Sequence, residues 1–210
     1  MKSLLVELPK AKAEQTGWPW TQETDYQLYK SEINYPKISI VTPSFNQSNF
    51  LERTIRSVLL QNYPNLEYVI IDGGSNDDSI EIIKKYERWL TYWTSEKDDG
   101  QAQAINKGLQ HCTGLVFNWL NSDDWYLPNV LEVIGRTFAQ HPDLQVFCGQ
   151  QYLRYANGES ILSHPSPIKK TLEATLAYRR YCCPQKTCKS GCCAKVLPMT
   201  SSTFGKYQSS

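Results

Sequence analysis

The chain has 210 residues, 22 basic against 21 acidic side chains, a formal charge of +1 and 40% hydrophobic residues. That length suits one domain with a sizeable core and is tight for two. The balanced, interspersed charge excludes a surface that holds nucleic acid or anionic lipid by electrostatics alone, and the apolar content excludes a disordered chain. No apolar run approaches the roughly 18 to 20 residues needed to cross a bilayer, and the first residues lack the apolar core of a signal peptide, so a cytoplasmic protein is expected.

Residues 1–36 read as an N-terminal arm whose Trp18, Pro19 and Trp20 pack on the domain. From Lys37 the run Ile38, Ser39, Ile40, Val41 and Thr42 predicts a buried parallel strand stopped by Pro43. Leu51, Ile55, Val58 and Leu59 recur at three- and four-residue spacing and predict a helix that ends around Asn62, Tyr63 and Pro64. A second strand is expected over 66–71. Gly73 and Gly74 make the turn after it, and Ser75 with Asp78 has capping-box spacing before a helix carrying Ile80, Ile83 and Tyr86. Strands at 90–94 and 115–120 follow, separated by a helix with Ala102, Ile105 and Leu109 on one face. A last helix opens near Pro128, carries Leu131, Ile134 and Phe138, and closes at Pro142, and residues 144–155 add one or two strands. This alternation predicts an α/β fold with a mostly parallel central sheet and helices on both faces.

In such a fold, ligands bind beyond the carboxyl ends of the strands. There the sequence places Ser44 and Asn46, Asp72, Asp98 and Asp99, and Asp123 and Asp124. A single aspartate after a strand is ordinarily a cap or turn residue; acidic residues at three strand ends of one domain carry more weight. No glycine-rich turn follows the first strand, and neither a dinucleotide fingerprint nor a phosphate-clasping loop is present. What remains is a carboxylate-rich crevice suited to Mg²⁺ or Mn²⁺, which join one or two carboxylates to diphosphate oxygens.

Four ordered blocks, ISIVTPSFNQ at 38–47, VIIDGGSNDDS at 69–79, SEKDDGQAQAINKG at 95–108 and LNSDD at 120–124, resemble a family 2 glycosyltransferase of the GT-A fold. The resemblance implies an inverting transferase that moves a sugar from a nucleotide-sugar, often a UDP-sugar, to a saccharide or lipid-linked acceptor, using Mg²⁺ or Mn²⁺. A lipid-linked acceptor would bring the protein to a membrane surface peripherally, in polysaccharide biosynthesis. On this resemblance Pro43, Ser44, Phe45 and Asn46 match the segment around the nucleobase, with Phe45 where the family often has tyrosine. Asp72 matches a contact to the base or ribose, Asp98 a carboxylate near the ribose or donor sugar, and Asn106 a position that supports that loop. Asn121, Ser122, Asp123 and Asp124 occupy the DxD-like position. Asp123 and Asp124 are expected to approach metal and diphosphate, with Asp124 preferred as the direct ligand.

Inversion also requires a base on the acceptor side. Beyond Leu144 the acidic residues are Glu159, in an expected hairpin turn, and Glu173, on an expected helix surface, so no catalytic base is assigned. The domain is expected to span 37–180. Residues 181–210, which hold Cys182, Cys183, Cys188, Cys192 and Cys193, read as an irregular tail with neither strand nor helix pattern, the end of a truncated or frame-altered chain. The competing expectation is therefore a weak or inactive nucleotide- and metal-binding domain. The cysteine spacing does not match a zinc site.

Overall fold

The computed structural model describes residues 3–154, 159–163 and 195–198. A short helix α1 (Leu4–Glu7) opens the arm, and the domain proper begins at β1 (Ile38–Ser44). Then follow α2 (Ser48–Leu59), β2 (Leu66–Asp72), α3 (Ser79–Tyr86), β3 (Tyr92–Ser95), α4 (Gln101–Leu109), β4 (Val116–Trp119) and α5 (Val130–Gln140). Strands β5 (Phe147–Cys148), β6 (Gln151–Arg154), β7 (Ser160–Ser163) and β8 (Lys195–Pro198) complete the described elements. The main sheet has the order β3-β2-β1-β4-β8-β5; its first four strands are parallel, and β8 runs antiparallel to both β4 and β5. β6 and β7 form a separate antiparallel hairpin, and Glu159 stands immediately before β7.

Because strand side chains alternate between faces, each strand feeds two cores. Ile38, Ile40, Tyr68, Ile70 and Val116 face a core built with α2, α3 and α5, through Leu51, Ile55, Ile83, Leu131 and Phe138. Val41, Val69, Ile71 and Phe117 face the opposite way, onto Ala104, Ile105 and Leu109 of α4. Gly108 lets α4 lie this close to the sheet, since a Cβ there would stand 2.5 Å from Val41 Cγ1.

The arm belongs to the first core. Leu8 is buried there, Tyr35 with it, and Tyr29, Tyr35 and Tyr63 pack edge to face with centroids 5.3 to 6.0 Å apart. Arg56 of α2, 1% exposed, donates to the Pro9, Pro19 and Trp20 carbonyls and to the Tyr86 hydroxyl, and so fastens the arm to the domain.

Three local expectations are corrected. β1 runs through Pro43 to Ser44, because β4 pairs with β1 only as far as Val41 and the missing Pro43 N–H falls on the side that β4 has vacated. Ser75 does not cap α3: its hydroxyl bonds to Asp72, the N-cap is Asp78, and Asp77 Oδ1 accepts the Ser79 N–H at 3.0 Å. The segment read as lacking a strand contains β8, whose pairing with β4 and β5 gives four residues a place in the sheet that their own pattern does not announce. The five clustered cysteines, Glu173 and most of the tail lie outside the described residues.

Candidate functional site

β1 has β2 on one side and β4 on the other, so the sheet order reverses beside it. At such a point the loops leave the carboxyl ends in opposite directions and open a crevice. Here the crevice is a cavity of about 640 Å³, within the range that takes a small molecule or cofactor.

One wall is the end of β1, formed by Pro43, Ser44 and Phe45. Ser44 is 4% exposed, yet its hydroxyl has no hydrogen-bond partner among the described residues. A buried polar group left so is open to a water or a ligand that enters the cavity. Phe45 is 58% exposed and lines the same wall. Asn46 does not line the cavity. It adopts the left-handed φ of 52°, which asparagine tolerates, donates its N–H to Ser75 Oγ at 2.8 Å and accepts the Asn76 N–H at 2.9 Å. It braces one loop against the next.

Asp72 is likewise a brace in this conformation. It is fully buried, and its two oxygens accept from Gly74 N–H, Ser75 N–H, the Ser75 hydroxyl and the Ser95 hydroxyl. That network fixes the Gly73–Gly74 turn, and the turn receives Asp98: a Cβ on Gly73 would lie 3.0 Å from Asp98 Oδ2. Asp98 lines the cavity and accepts the Gly100 N–H at 2.8 Å, which sets its angle just ahead of α4. Asn106 lies exposed on α4 and is not part of the cavity wall.

The far wall is the 121–123 segment. Asp123 lines the cavity; Asp124 does not, and its Oδ2 accepts from Asn121 Nδ2 at 3.1 Å. Asn121 Oδ1 in turn accepts from Gln101 Nε2, which ties the first turn of α4 to this loop across the crevice. Among the described residues no group of three or more metal-ligating side chains is gathered. That arrangement fits a hard cation held by one or two carboxylates and completed by a ligand's phosphate oxygens, and does not fit a dedicated all-protein cage.

Sequence reading missed Gln47, Lys97 and Gln101, all of which line the cavity. Each sits inside one of the four blocks that carry the resemblance, as an amide or ammonium whose type alone does not single it out. Lys97 is the basic side chain among the lining residues and brings positive charge to a wall otherwise acidic or neutral.

A sheet with four parallel strands, covered by helices on both faces and with a carboxylate-lined crevice at its carboxyl edge, is an α/β fold of the GT-A type. A structure of the same fold is S. aureus TarS 1–349, which superposes with a TM-score of 0.53 at 18% identity over 77% of this chain and 47% of that one. TarS 1–349 in complex with UDP-GlcNAc superposes with a TM-score of 0.50 at 20% identity over 64% and 38% of the two chains. The chain belongs to glycosyltransferase family 2, whose model, described as Glycosyl transferase family 2, matches residues 39–196. It is 31% identical over 128 residues to an uncharacterized glycosyltransferase of Rickettsia prowazekii (strain Madrid E), covering 59% of this chain and 39% of that protein. It is 35% identical over 102 residues to a putative teichuronic acid biosynthesis glycosyltransferase of Bacillus subtilis (strain 168), covering 46% of this chain and 40% of that protein. The chain thus spans about two fifths of the length of these relatives.

Proposed function

We propose that the crevice binds the nucleoside diphosphate part of a nucleotide-sugar, with Mg²⁺ or Mn²⁺, and that the whole protein transfers the sugar with inversion to a saccharide or lipid-linked acceptor. The observation that carries this reading is one cavity wall with a ring and an unpartnered hydroxyl, Phe45 and Ser44, facing carboxylates at Asp98 and Asp123. Phe45 stacks on the nucleobase, and the Ser44 hydroxyl bonds to its edge or to the ribose. Asp98 accepts from sugar hydroxyls. Lys97 meets phosphate charge as a point cation.

Asp123 is the preferred cation ligand, in place of Asp124, because it stands on the cavity wall while the Asp124 carboxylate receives Asn121. When bound, the cation supplies Lewis-acid neutralisation of the departing diphosphate. Asp72 and Asn46 act by holding the loops, and Asn106 stands behind the same loop on α4. The Bacillus relative's named role in teichuronic acid biosynthesis supports a polysaccharide acceptor. Among the described residues no helix is long and apolar enough to cross a membrane.

Calorimetry with UDP and Mn²⁺, the nucleotide chosen because UDP-GlcNAc is the ligand of a TarS structure of this fold, tests the reading. Mn²⁺ should tighten UDP binding, and binding in its presence should weaken about tenfold or more in Asp123→Ala, as loss of a ligand to a charged group predicts. Equal binding by both proteins rejects the assignment of Asp123. A nucleotide-sugar panel with the anomeric configuration of the product measured decides inversion against retention.

A further inference from the structure

Helix α2 carries a second stripe beside its apolar one. Thr54, Ser57 and Gln61 recur at three- and four-residue spacing and are 1%, 0% and 0% exposed. A buried hydroxyl on a helix ordinarily bonds to the carbonyl one turn back. For Thr54 that bond is the long one: Phe50 O is 3.5 Å away, whereas Ser122 O lies at 2.8 Å and Asp124 O at 2.6 Å. Its single proton therefore serves the two carbonyls that flank Asp123.

The same stripe continues along the loop. Ser57 Oγ accepts the Tyr126 N–H at 3.1 Å. Gln61, in the tightened turn that ends the helix, donates from Nε2 to Leu127 O at 2.8 Å and accepts the Leu131 N–H on Oε1 at 3.2 Å. Three side chains thus satisfy five backbone groups between 122 and 131, the segment that joins β4 to α5 and carries Asp123.

We propose that the Thr54–Ser57–Gln61 stripe is the positioning element of the acidic loop, and that Thr54 sets the aim of Asp123 into the cavity and with it the affinity for the divalent cation. The inference rests on the reading of Asp123 as a cation ligand. Thr54 does not itself line the cavity; it acts through the backbone on either side of Asp123. Partners that orient a metal ligand from behind commonly change metal affinity by about 10- to 100-fold when removed. Buried carbonyls abandoned by a donor also pull a loop toward water.

The 210-residue chain tests this as Thr54→Val, which keeps the shape without the hydroxyl, Thr54→Ser, which keeps the hydroxyl, and Ser57→Ala. Mn²⁺ affinity in the presence of UDP is read by electron paramagnetic resonance of the free ion. UDP affinity without metal is read by calorimetry, and amide exchange over 122–131 by mass spectrometry. Thr54→Val should weaken Mn²⁺ binding about tenfold, about 1.4 kcal/mol, and leave metal-free UDP affinity within about twofold. It should also speed exchange in the loop, as should Ser57→Ala at Tyr126. Thr54→Ser should restore both properties.

A folded Thr54→Val protein with wild-type Mn²⁺ affinity overturns the proposal, as does a Thr54→Ser protein that falls equally far. Parallel loss of metal-free UDP binding makes Thr54 a general structural residue and overturns it too. A wild-type chain that binds no Mn²⁺ with UDP sinks the functional reading and the cation half of this proposal with it; the exchange rates still decide whether the stripe holds the loop.

Discussion

Aspartates that look alike in the sequence occupy different physical states around this crevice. Asp77, which the sequence reading left unassigned, accepts the first N–H groups of two helices, Ser48 N–H at 2.9 Å and Ser79 N–H at 3.0 Å. Burial pushes its carboxyl up, but hydrogen bonds from Ser79 and Ser48 outweigh that and bring it from 3.8 down to about 2. The folded carboxyl titrates below the unfolded one, so the unfolded chain binds the proton first as acid is added. The stabilisation is complete above pH about 4 and is lost as pH falls toward about 2. Urea unfolding at stepped pH should show this slope in the wild type and a flatter one in Asp77→Asn; equal slopes would remove Asp77 from the acid response. Asp72 and Asp123 show why such roles were not legible. Residue type and place after a strand are written in the sequence; whether the carboxylate turns to its own loop's N–H groups or to the cavity is decided by one turn of backbone.

At the scale of elements, what could be read was whatever repeats. The β-branched run of β1, the apolar stripes of α2 and α5 and the strand-helix alternation each leave a period in the sequence, and the structure places them where that period predicts. The polar stripe of α2 has the same period but is hidden by it, because threonine, serine and glutamine at buried positions look like a solvated face. β8 is short and ends in proline, so only its partners β4 and β5 define it as a strand. Contact between elements is equally silent until a glycine marks it. Gly108→Ala should raise helix propensity, yet the added Cβ meets Val41 Cγ1 at 2.5 Å, Val41 Cγ2 at 2.9 Å and Ile71 Cγ1 at 3.2 Å. Overpacking at rigid, β-branched neighbours costs about 1–3 kcal/mol and outweighs the roughly 1 kcal/mol gained in the helix. The variant should therefore show a lower urea midpoint at unchanged m-value; a higher midpoint would mean that α4 can retreat from the sheet.

The whole molecule is closed by its arm. Arg56 offers its donors to three backbone carbonyls, Pro9 at 2.8 Å and Pro19 and Trp20 at 3.0 Å each. Arg56→Met keeps much of the side-chain volume and removes every donor. Each buried acceptor left unpaired costs about 1–3 kcal/mol, so the melting temperature should fall and limited proteolysis should cut first between residues 9 and 20. Cleavage elsewhere first would show that the arm is held by its aromatic packing alone. The arm also reaches the loop beyond β4: Trp18 Nε1 donates to Tyr126 O at 2.7 Å, 108 residues away, and Thr24 Oγ1 accepts the Asn129 N–H, 105 residues away. During synthesis the arm emerges before these partners exist. At about 5–20 residues per second, Trp18 waits on the order of ten seconds for its acceptor. Through that interval the Trp18 indole N–H is held only provisionally, by water or by the nascent chain itself, and contacts that wait for residue 126 close over some of the domain's first residues.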